Sequence, residues 1–166
     1  MTLNRNRWLA LALSAIVGAD WLTKFWVQNR LAEGTRHAVV DGWVWLAHSR
    51  NTGVAFSFLR DLPEAVRLPV LALASLVGVS VAVYIMAKTH DRWVRVAAAL
   101  VIAGAVGNLG DRLMNGAVTD FILIRFFPFI FNVADVAITA GAILLAARLM
   151  LEERRPAPDA APAETT

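Results

Sequence analysis

The chain of 166 residues contains no cysteine, and only 17% of its residues are charged. The absence of cysteine excludes disulfides, thiolate nucleophiles, thiolate metal sites and lipidation of the protein's own cysteine. With three histidines and no His-Glu-x-x-His motif, we do not expect a zinc protease. Hydrophobic residues reach 58%, well above the share in an ordinary globular domain. The composition therefore indicates an integral membrane protein.

The net charge is small as well, because 16 basic residues are nearly balanced by 13 acidic residues and leave only +3. The basic residues are scattered along the chain and form no patch of the kind that binds a phosphate backbone. We therefore expect no nucleic-acid partner.

Four stretches are apolar enough to cross a bilayer, which requires about 20 mostly apolar residues. They cover residues about 8–27, 68–87, 93–110 and 129–150. The first stretch also resembles a cleavable secretory signal, but its apolar run continues past Ala19 to Val27, which is longer than such a signal needs. The sequence predicts an all-α membrane protein with four transmembrane helices, in which residues 1–153 form the membrane domain.

The connection between the first two spans, residues about 28–67, contains a predicted β-hairpin. Residues 37–40 and 43–46 are apolar stretches on either side of Asp41-Gly42, a pair that favours a tight turn. The tryptophans of the second stretch suit a membrane–water interface. Residues 154–166 are rich in Pro and Ala and predict a disordered tail. Basic residues are denser on the side of the two termini, which favours a cytoplasmic position for both.

Polar side chains of three spans gather at one membrane face, because four alternating spans bring these ends together. They are, in chain order, Asp20, Lys24, Asn108, Asp111, Arg112, Asn132 and Asp135. Ionisable groups at membrane depth cost at least a few kcal/mol each and usually mark function. Asp20 and Lys24 are four residues apart and can pair on one helix face, which would equally suit a structural ion pair. Asp111 and Arg112 would also suit a solvated helix end.

Asp120 and Asp135 indicate a catalytic role more specifically than the other polar residues do. Asp120 precedes an apolar stretch that we expect to dip toward the membrane, and Asp135 lies in the first turns of the fourth span. Two carboxylates brought together in an apolar setting cannot both ionise cheaply, so one holds a proton while the other remains a base. That arrangement suits an aspartic hydrolase. The alternatives are a favourable helix N-terminal charge at Asp135 and an ordinary loop carboxylate at Asp120.

Two other classes of protein fit the same residues. A small transporter or proton channel would use Asp20, Asp111, Asp120 and Asp135 as a relay. A relay should place ionisable groups across the whole membrane, whereas the other half of each predicted span contains no carboxylate. In a structural or assembly protein, the same charges would merely pair with one another.

Five motifs follow one another in a characteristic order. They are Asp20-x-x-Thr-Lys24, Asn51-Thr-Gly-Val-Ala-Phe56, Gly107-Asn-x-x-Asp-Arg112, Val118-Thr-Asp120-Phe-Ile and Phe131-Asn-Val-Ala-Asp135. Together they resemble the lipoprotein signal peptidase family, the type II signal peptidases of bacteria, over nearly the whole chain. Gly110 is one departure, because the family more often has a larger apolar residue there. The tail lies outside the resemblance.

The resemblance implies an intramembrane aspartic endopeptidase that removes the signal peptide from prolipoproteins by cutting before a diacylglyceryl-modified cysteine. It implies a catalytic dyad of Asp120 and Asp135 and positions that bind substrate or inhibitor at Asn51, Asn108, Arg112 and Asn132. Asp20, Lys24, Asp111 and Gly53 would support the site. The resemblance further implies no metal or cofactor, inhibition by the cyclic peptide globomycin, contact with membrane lipid, and a small periplasmic β-cradle. We expect a monomer in the bacterial inner membrane, with its active site at the periplasmic face.

Overall fold

The computed structural model describes residues 2–53 and 62–153. Over these ranges the chain forms helices α1 (Thr2–Arg30), α2 (Glu64–Lys88), α3 (Arg92–Asn115) and α4 (Val133–Glu153), with strands β1 (Arg36–Val40), β2 (Val44–Asn51), β3 (Val118–Ile124) and β4 (Ile130–Phe131). The four helices of this described part are long and apolar enough to cross a membrane. The helical architecture with a small antiparallel sheet confirms the predicted fold class. Val54–Phe56 of the second motif and the tail at 154–166 lie outside the described residues.

Helix α3 lies at the centre of the bundle, and its small side chains allow close packing against α4. Ala97, Ala103 and Gly104 are all buried. A Cβ atom at Gly104 would overlap the carbonyl oxygen of Ala134, and one at Gly141 would lie 2.7 Å from the carbonyl oxygen of Ala97. Small residues of this kind let membrane helices approach backbone to backbone. This packing holds the end of α3 directly against the beginning of α4.

The four strands of the described residues form one antiparallel sheet in the order β1-β2-β3-β4. Strands β1 and β2 form the hairpin predicted around Asp41-Gly42. Strands β3 and β4 were not predicted from the sequence: β3, residues 118–124, pairs with β2 on one side and with β4 on the other. Ser49 lies opposite Asp120 in this pairing. The sheet that corresponds to the predicted β-cradle therefore includes residues 118–124 and 130–131, which lie outside the predicted range of residues 28–67.

The observed helices differ from the predicted windows at several ends. Helix α2 begins at Glu64, directly after Pro63, and contains Pro69 within its length. Helix α4 begins at Val133, because Ile130 and Phe131 pair with β3 as a short strand. Hydropathy includes these two apolar residues in the fourth window, but their backbone groups bond to the sheet.

The end of the bundle away from the sheet is closed by a separate ion pair. Asp91 caps α3 by accepting hydrogen bonds from the backbone N–H groups of Trp93 at 2.7 Å and Val94 at 3.1 Å. Its other oxygen pairs with Arg148 near the end of α4. The Val94 N–H and the Arg148 guanidinium hold the pKa of Asp91 below its usual value. This pair ties α3 to α4 at the far end of both helices.

Candidate active site

One face of α1 supplies the first part of the site. Asp20, Lys24 and Gln28 follow one another at four-residue spacing and point into the bundle. The Lys24 ammonium lies 2.8 Å from Asp20 Oδ2 and 3.7 Å from Asp111 Oδ2. It also donates a hydrogen bond of 2.9 Å to Asn108 Oδ1. The Asp20–Lys24 pair expected from the spacing is therefore present and reaches across to α3.

Asp20 also holds the beginning of α4. Its Oδ1 accepts the backbone N–H of Ala134 at 2.9 Å, and its side chain has no solvent-exposed surface. The free N–H groups in the first turn of a helix require such acceptors. Gly107 makes room for the carboxylate, since a Cβ there would lie 2.5 Å from Asp20 Oδ2. Asp20 thus links α1 to α4 through the space that the missing side chain of Gly107 leaves on α3.

Asn132 and Asp135 cap the same helix end reciprocally. Asn132 Oδ1 accepts the backbone N–H of Asp135 at 2.9 Å, and Asp135 Oδ2 accepts the backbone N–H of Asn132 at 3.2 Å. This is the geometry of a capping box, with Asn and Asp in place of the usual residues. The cap fixes the backbone and the side chain of Asp135 relative to the first turn of α4.

Asp120 is brought to the same place by β3 and is only 3% exposed. Its Oδ2 accepts a hydrogen bond of 2.8 Å from Asn51 Nδ2, and its Oδ1 accepts one of 2.6 Å from Asn132 Nδ2. Burial raises the pKa of Asp120 to about 6. The hydrogen bond from Asn51 opposes this rise, whereas the neighbouring Asp135 carboxylate adds to it.

Hydrogen bonds from two asparagines, Asn132 and Asn108, connect the two carboxylates. Asn132 donates its side-chain amide to Asp120 and its backbone N–H to Asp135. Asn108 donates to Asp135 Oδ1 at 2.8 Å and accepts from Asn132 Nδ2 at 3.2 Å. The structure therefore brings together the pair expected from the sequence, within one continuous hydrogen-bond network. Asp135 is half-buried, so this member of the pair is the more accessible from outside.

Gly53 shapes the turn that carries Asn51. The Gly53 N–H donates to Asn51 Oδ1 at 2.8 Å, and the Gly53 φ of +107° lies in a region that side chains disfavour. A Cβ there would also lie 2.7 Å from Leu71 Cδ1 of α2. Glycine is needed at this position for both reasons, and the turn fixes the amide of Asn51 toward Asp120.

Asp111 anchors the strand that carries Asp120. Its Oδ2 accepts the backbone N–H of Thr119 at 2.6 Å, and its Oδ1 accepts Asn115 Nδ2 at 2.6 Å. Gln28 donates to the Thr119 hydroxyl at 2.6 Å. The sequence analysis missed Gln28 and Thr119. The four-residue spacing from Asp20 through Lys24 would have placed Gln28 on the same inward face.

Arg112 lies half-buried beside the pair, within electrostatic reach of Asp120 and Asp135. Its guanidinium donates to the Asn108 carbonyl at 3.5 Å, and its buried Nε makes no hydrogen bond to any residue that the structure describes. Gly110, the departure from the family pattern, is covered by the Trp21 ring, whose Cζ2 would lie 2.9 Å from an added Cβ. Trp21 occupies the space that a larger residue at position 110 would need.

An open cavity of about 1000 Å³ begins at the two carboxylates. Its polar end contains Asn51, Asp120 and Asp135, and the rest is mostly apolar. The apolar lining comes from the β3–β4 connection and one face of α4, namely Ile124, Phe126, Phe127, Pro128, Phe129, Ile130, Phe131, Val136, Ala140 and Ile143. The cavity can therefore hold a molecule with a long apolar part and place its polar part against the carboxylates.

The chemistry available here is proton transfer. Over residues 2–53 and 62–153, no group of three or more His, Cys, Asp or Glu side chains is arranged to hold a metal ion. The buried carboxyl group of Asp120, with its pKa raised to about 6, keeps its proton in mildly acidic solution, and a second carboxyl group lies beside it. The expected absence of a metal or cofactor stays a prediction.

The fold and the site define a multi-pass membrane protein with a pair of carboxylates, one buried and one half-buried, at one end of its helix bundle. Comparison with known families makes the class more specific. The family model for signal peptidase (SPase) II matches residues 11–151, so the chain belongs to the signal peptidase II family. It is a multi-pass bacterial membrane protein.

Relatives and solved structures agree with this placement. The lipoprotein signal peptidase of Ectopseudomonas mendocina is 42% identical, over 84% of this chain and 85% of the relative. That of Streptococcus pyogenes serotype M2 is 36% identical, over 90% and 97%. A bacterial membrane enzyme solved by the in meso method at 2.3 Å resolution superposes with a TM-score of 0.80 at 26% identity, over 92% of this chain and 94% of that one.

Proposed function

We propose that the protein removes signal peptides from bacterial prolipoproteins as an intramembrane aspartic endopeptidase, cutting before a diacylglyceryl-modified cysteine. The observation that carries the aspartic mechanism is the bridge through Asn132, which donates to both Asp120 and Asp135 beside the cavity. Membership of the signal peptidase II family favours peptidase activity over the transporter and structural alternatives.

The reaction needs the two carboxyl groups in opposite protonation states. One carboxylate takes a proton from a water molecule, whose oxygen attacks the scissile carbonyl carbon, and the protonated partner hydrogen-bonds the carbonyl oxygen. The C–N bond of the tetrahedral intermediate then breaks as the leaving nitrogen takes up the proton that the first carboxylate had removed from the water, and the carbonyl re-forms as the new carboxyl terminus. We assign the proton of the resting pair to the more buried Asp120, and Asp135 then acts as the base.

The cavity fits a substrate held in the membrane by lipid. Its apolar lining lies beside α4, which is long and apolar enough to span the bilayer. Acyl chains on the substrate cysteine would lie along this surface and hold the scissile bond near the carboxylates. Phe126 is 76% exposed and Trp43 is 51% exposed, and their rings contact edge to face beside Arg125. Aromatic and basic side chains of this kind suit the membrane–water interface.

The remaining features of the proposal concern placement in the cell. We propose the bacterial inner membrane, both termini in the cytoplasm, the sheet and the carboxylates at the outer face, and a monomeric enzyme. The density of basic residues supports this orientation. A substrate anchored at the outer leaflet would then meet the carboxylates at their own depth. We also propose that globomycin binds at this site and blocks it.

Activity should fall as the pH rises through the pKa of Asp120, about 6. The raised pKa means that the pair keeps its proton below that pH and loses it above, so kcat/KM should decrease about tenfold per pH unit on the alkaline side. The charged groups facing Asp120 are Asp135, Lys24 and Arg112. The check is a pH series of cleavage by the purified protein, with unfolding followed in parallel. A profile that is flat from pH 5 to about 8 would contradict the assignment of the proton.

The decisive test is cleavage by the pure, full-length protein in lipid. The substrate is a diacylglyceryl-modified prolipoprotein, and the same precursor without the lipid serves as the matched control. We expect a single cut before the modified cysteine, lost on addition of globomycin. Absence of any cut, together with proton flux when the protein is placed in liposomes, would replace the proposal with the transporter alternative.

A further inference from the structure

Three asparagines surround the two carboxylates. The side-chain oxygen of each one accepts a hydrogen bond from a neighbour, and this bond fixes the orientation of the amide. The Oδ1 atoms of Asn51, Asn108 and Asn132 accept hydrogen bonds from Gly53 N at 2.8 Å, Lys24 Nζ at 2.9 Å and Asp135 N at 2.9 Å, respectively. A backbone N–H and an ammonium group can only donate. Each amide must therefore present its oxygen to that neighbour.

The opposite end of each amide then has to donate inward. Asn51 Nδ2 and Asn132 Nδ2 donate to Asp120, and Asn108 Nδ2 donates to Asp135 Oδ1. Turning the Asn108 amide over would place its NH₂ group against the Lys24 ammonium and its oxygen against the Asp135 carboxylate. The first new contact would bring two donors together, and the second would bring two acceptors together. The observed orientation is therefore the one that satisfies all the partners.

Two of these three restraints belong to the backbone. The third, on Asn108, is the ammonium of Lys24 at 2.9 Å, beside a longer donation of 3.2 Å from Asn132 Nδ2. Lys24 is 2% exposed, and its charge is balanced by Asp20 at 2.8 Å and Asp111 at 3.7 Å. A structural ion pair alone would need only Asp20. The additional 2.9 Å hydrogen bond to Asn108 connects Lys24 with the reacting pair, although Lys24 itself contacts neither Asp120 nor Asp135 by a hydrogen bond.

We propose that Lys24 is a positioning residue for the peptidase reaction: its ammonium fixes the Asn108 amide so that Asn108 donates to Asp135 throughout turnover. The inference rests on the proposed function, because it assigns the held carboxylate the role of the base. Lys24 acts through Asn108 and touches no substrate. Its contribution should therefore appear in kcat, with little change in KM.

A kinetic double-mutant cycle tests this coupling on the full-length enzyme, with the diacylglyceryl-modified prolipoprotein as the probe. The variants are Lys24→Met, Asn108→Ala and the two combined. We expect Lys24→Met to lower kcat by about 10- to 100-fold with KM unchanged, the range seen when a side chain that orients a metal ligand is removed. In the Asn108→Ala background the same change should have no further effect, because the group through which Lys24 acts is gone.

Removing Lys24 alone leaves buried carboxylates without their partner, so a second variant protects the test against misfolding. Asp20→Asn combined with Lys24→Met removes both charges together, while the Asn side chain can still accept the Ala134 N–H. This variant should show the same loss of kcat and the same absence of a further loss when Asn108→Ala is added.

Two results would overturn the inference: losses that multiply in the cycle, or a wild-type kcat in the Asp20→Asn/Lys24→Met variant. Failure of the proposed function looks different. In that case, the wild-type protein would not cleave, or Asp135→Asn would cleave normally. The inference alone fails when the wild type cleaves, Asp135→Asn does not, and the effects of Lys24 and Asn108 are independent.

Discussion

Replacing either Asp120 or Asp135 with Asn should lower prolipoprotein cleavage by at least about a thousandfold, since each carboxyl group handles a proton in the bond-breaking step. Asn cannot take a proton from water or release one, although it has nearly the same shape as Asp. Asn at position 120 also sets an NH₂ group against one of the two amide donors that face it, from Asn51 and Asn132. The measurement is the single-turnover cleavage rate of purified protein at saturating substrate.

The matched control is Asp41→Asn, on an exposed turn of the sheet. Asn-Gly is as favourable in that turn as Asp-Gly, so activity should be unchanged. All three variants should accumulate in the membrane, because none removes an apolar contact of the helices. Normal processing by Asp120→Asn or by Asp135→Asn would refute the dyad.

The second large effect is expected at Asn132, which both caps α4 and donates to Asp120. Asn132→Ala should reduce the stability of the protein by about 1–2 kcal/mol through loss of the cap. It should also reduce kcat by about 100-fold, because Asp120 and Asp135 are no longer held to one another. Thermal unfolding in detergent and the cleavage rate measure the two losses separately.

Asn132→Ser separates the two roles of this side chain. Serine caps helices about as well as asparagine, so most of the stability should return. The shorter Ser side chain can accept the Asp135 N–H but cannot also reach the Asp120 carboxylate, so activity should remain low. Recovery of full activity by Asn132→Ser would mean that the bridge to Asp120 is not required.

The convergence of the polar residues could be predicted from the sequence. Span alternation places the end of α1, the end of α3 and the beginning of α4 on one face, and hydropathy alone identifies the spans. The Asp20–Lys24 pair follows from helical periodicity. These predictions depend on short-range patterns, which a single sequence records directly.

The position of Asp120 could not be predicted in the same way. It is set by the pairing of β3 with β2, whose residues are about 70 positions earlier in the chain, and no local pattern of residues 118–124 identifies that partner. The sequence did not show that Asn132 caps α4. Residues 129–131 are apolar, so the fourth hydropathy window begins at about residue 129, before the first residue of the helix, Val133. Orientation of the asparagine amides required the full hydrogen-bond network.

The bond from Asp20 to the Ala134 N–H joins residues 114 positions apart, from the first helix to the last. A chain without α4 lacks the Asn132–Asp135 cap, the Asp135 carboxylate and the amide that Asp20 binds. On the proposed mechanism, the site is therefore complete only when α4 has joined the first three helices of the bundle.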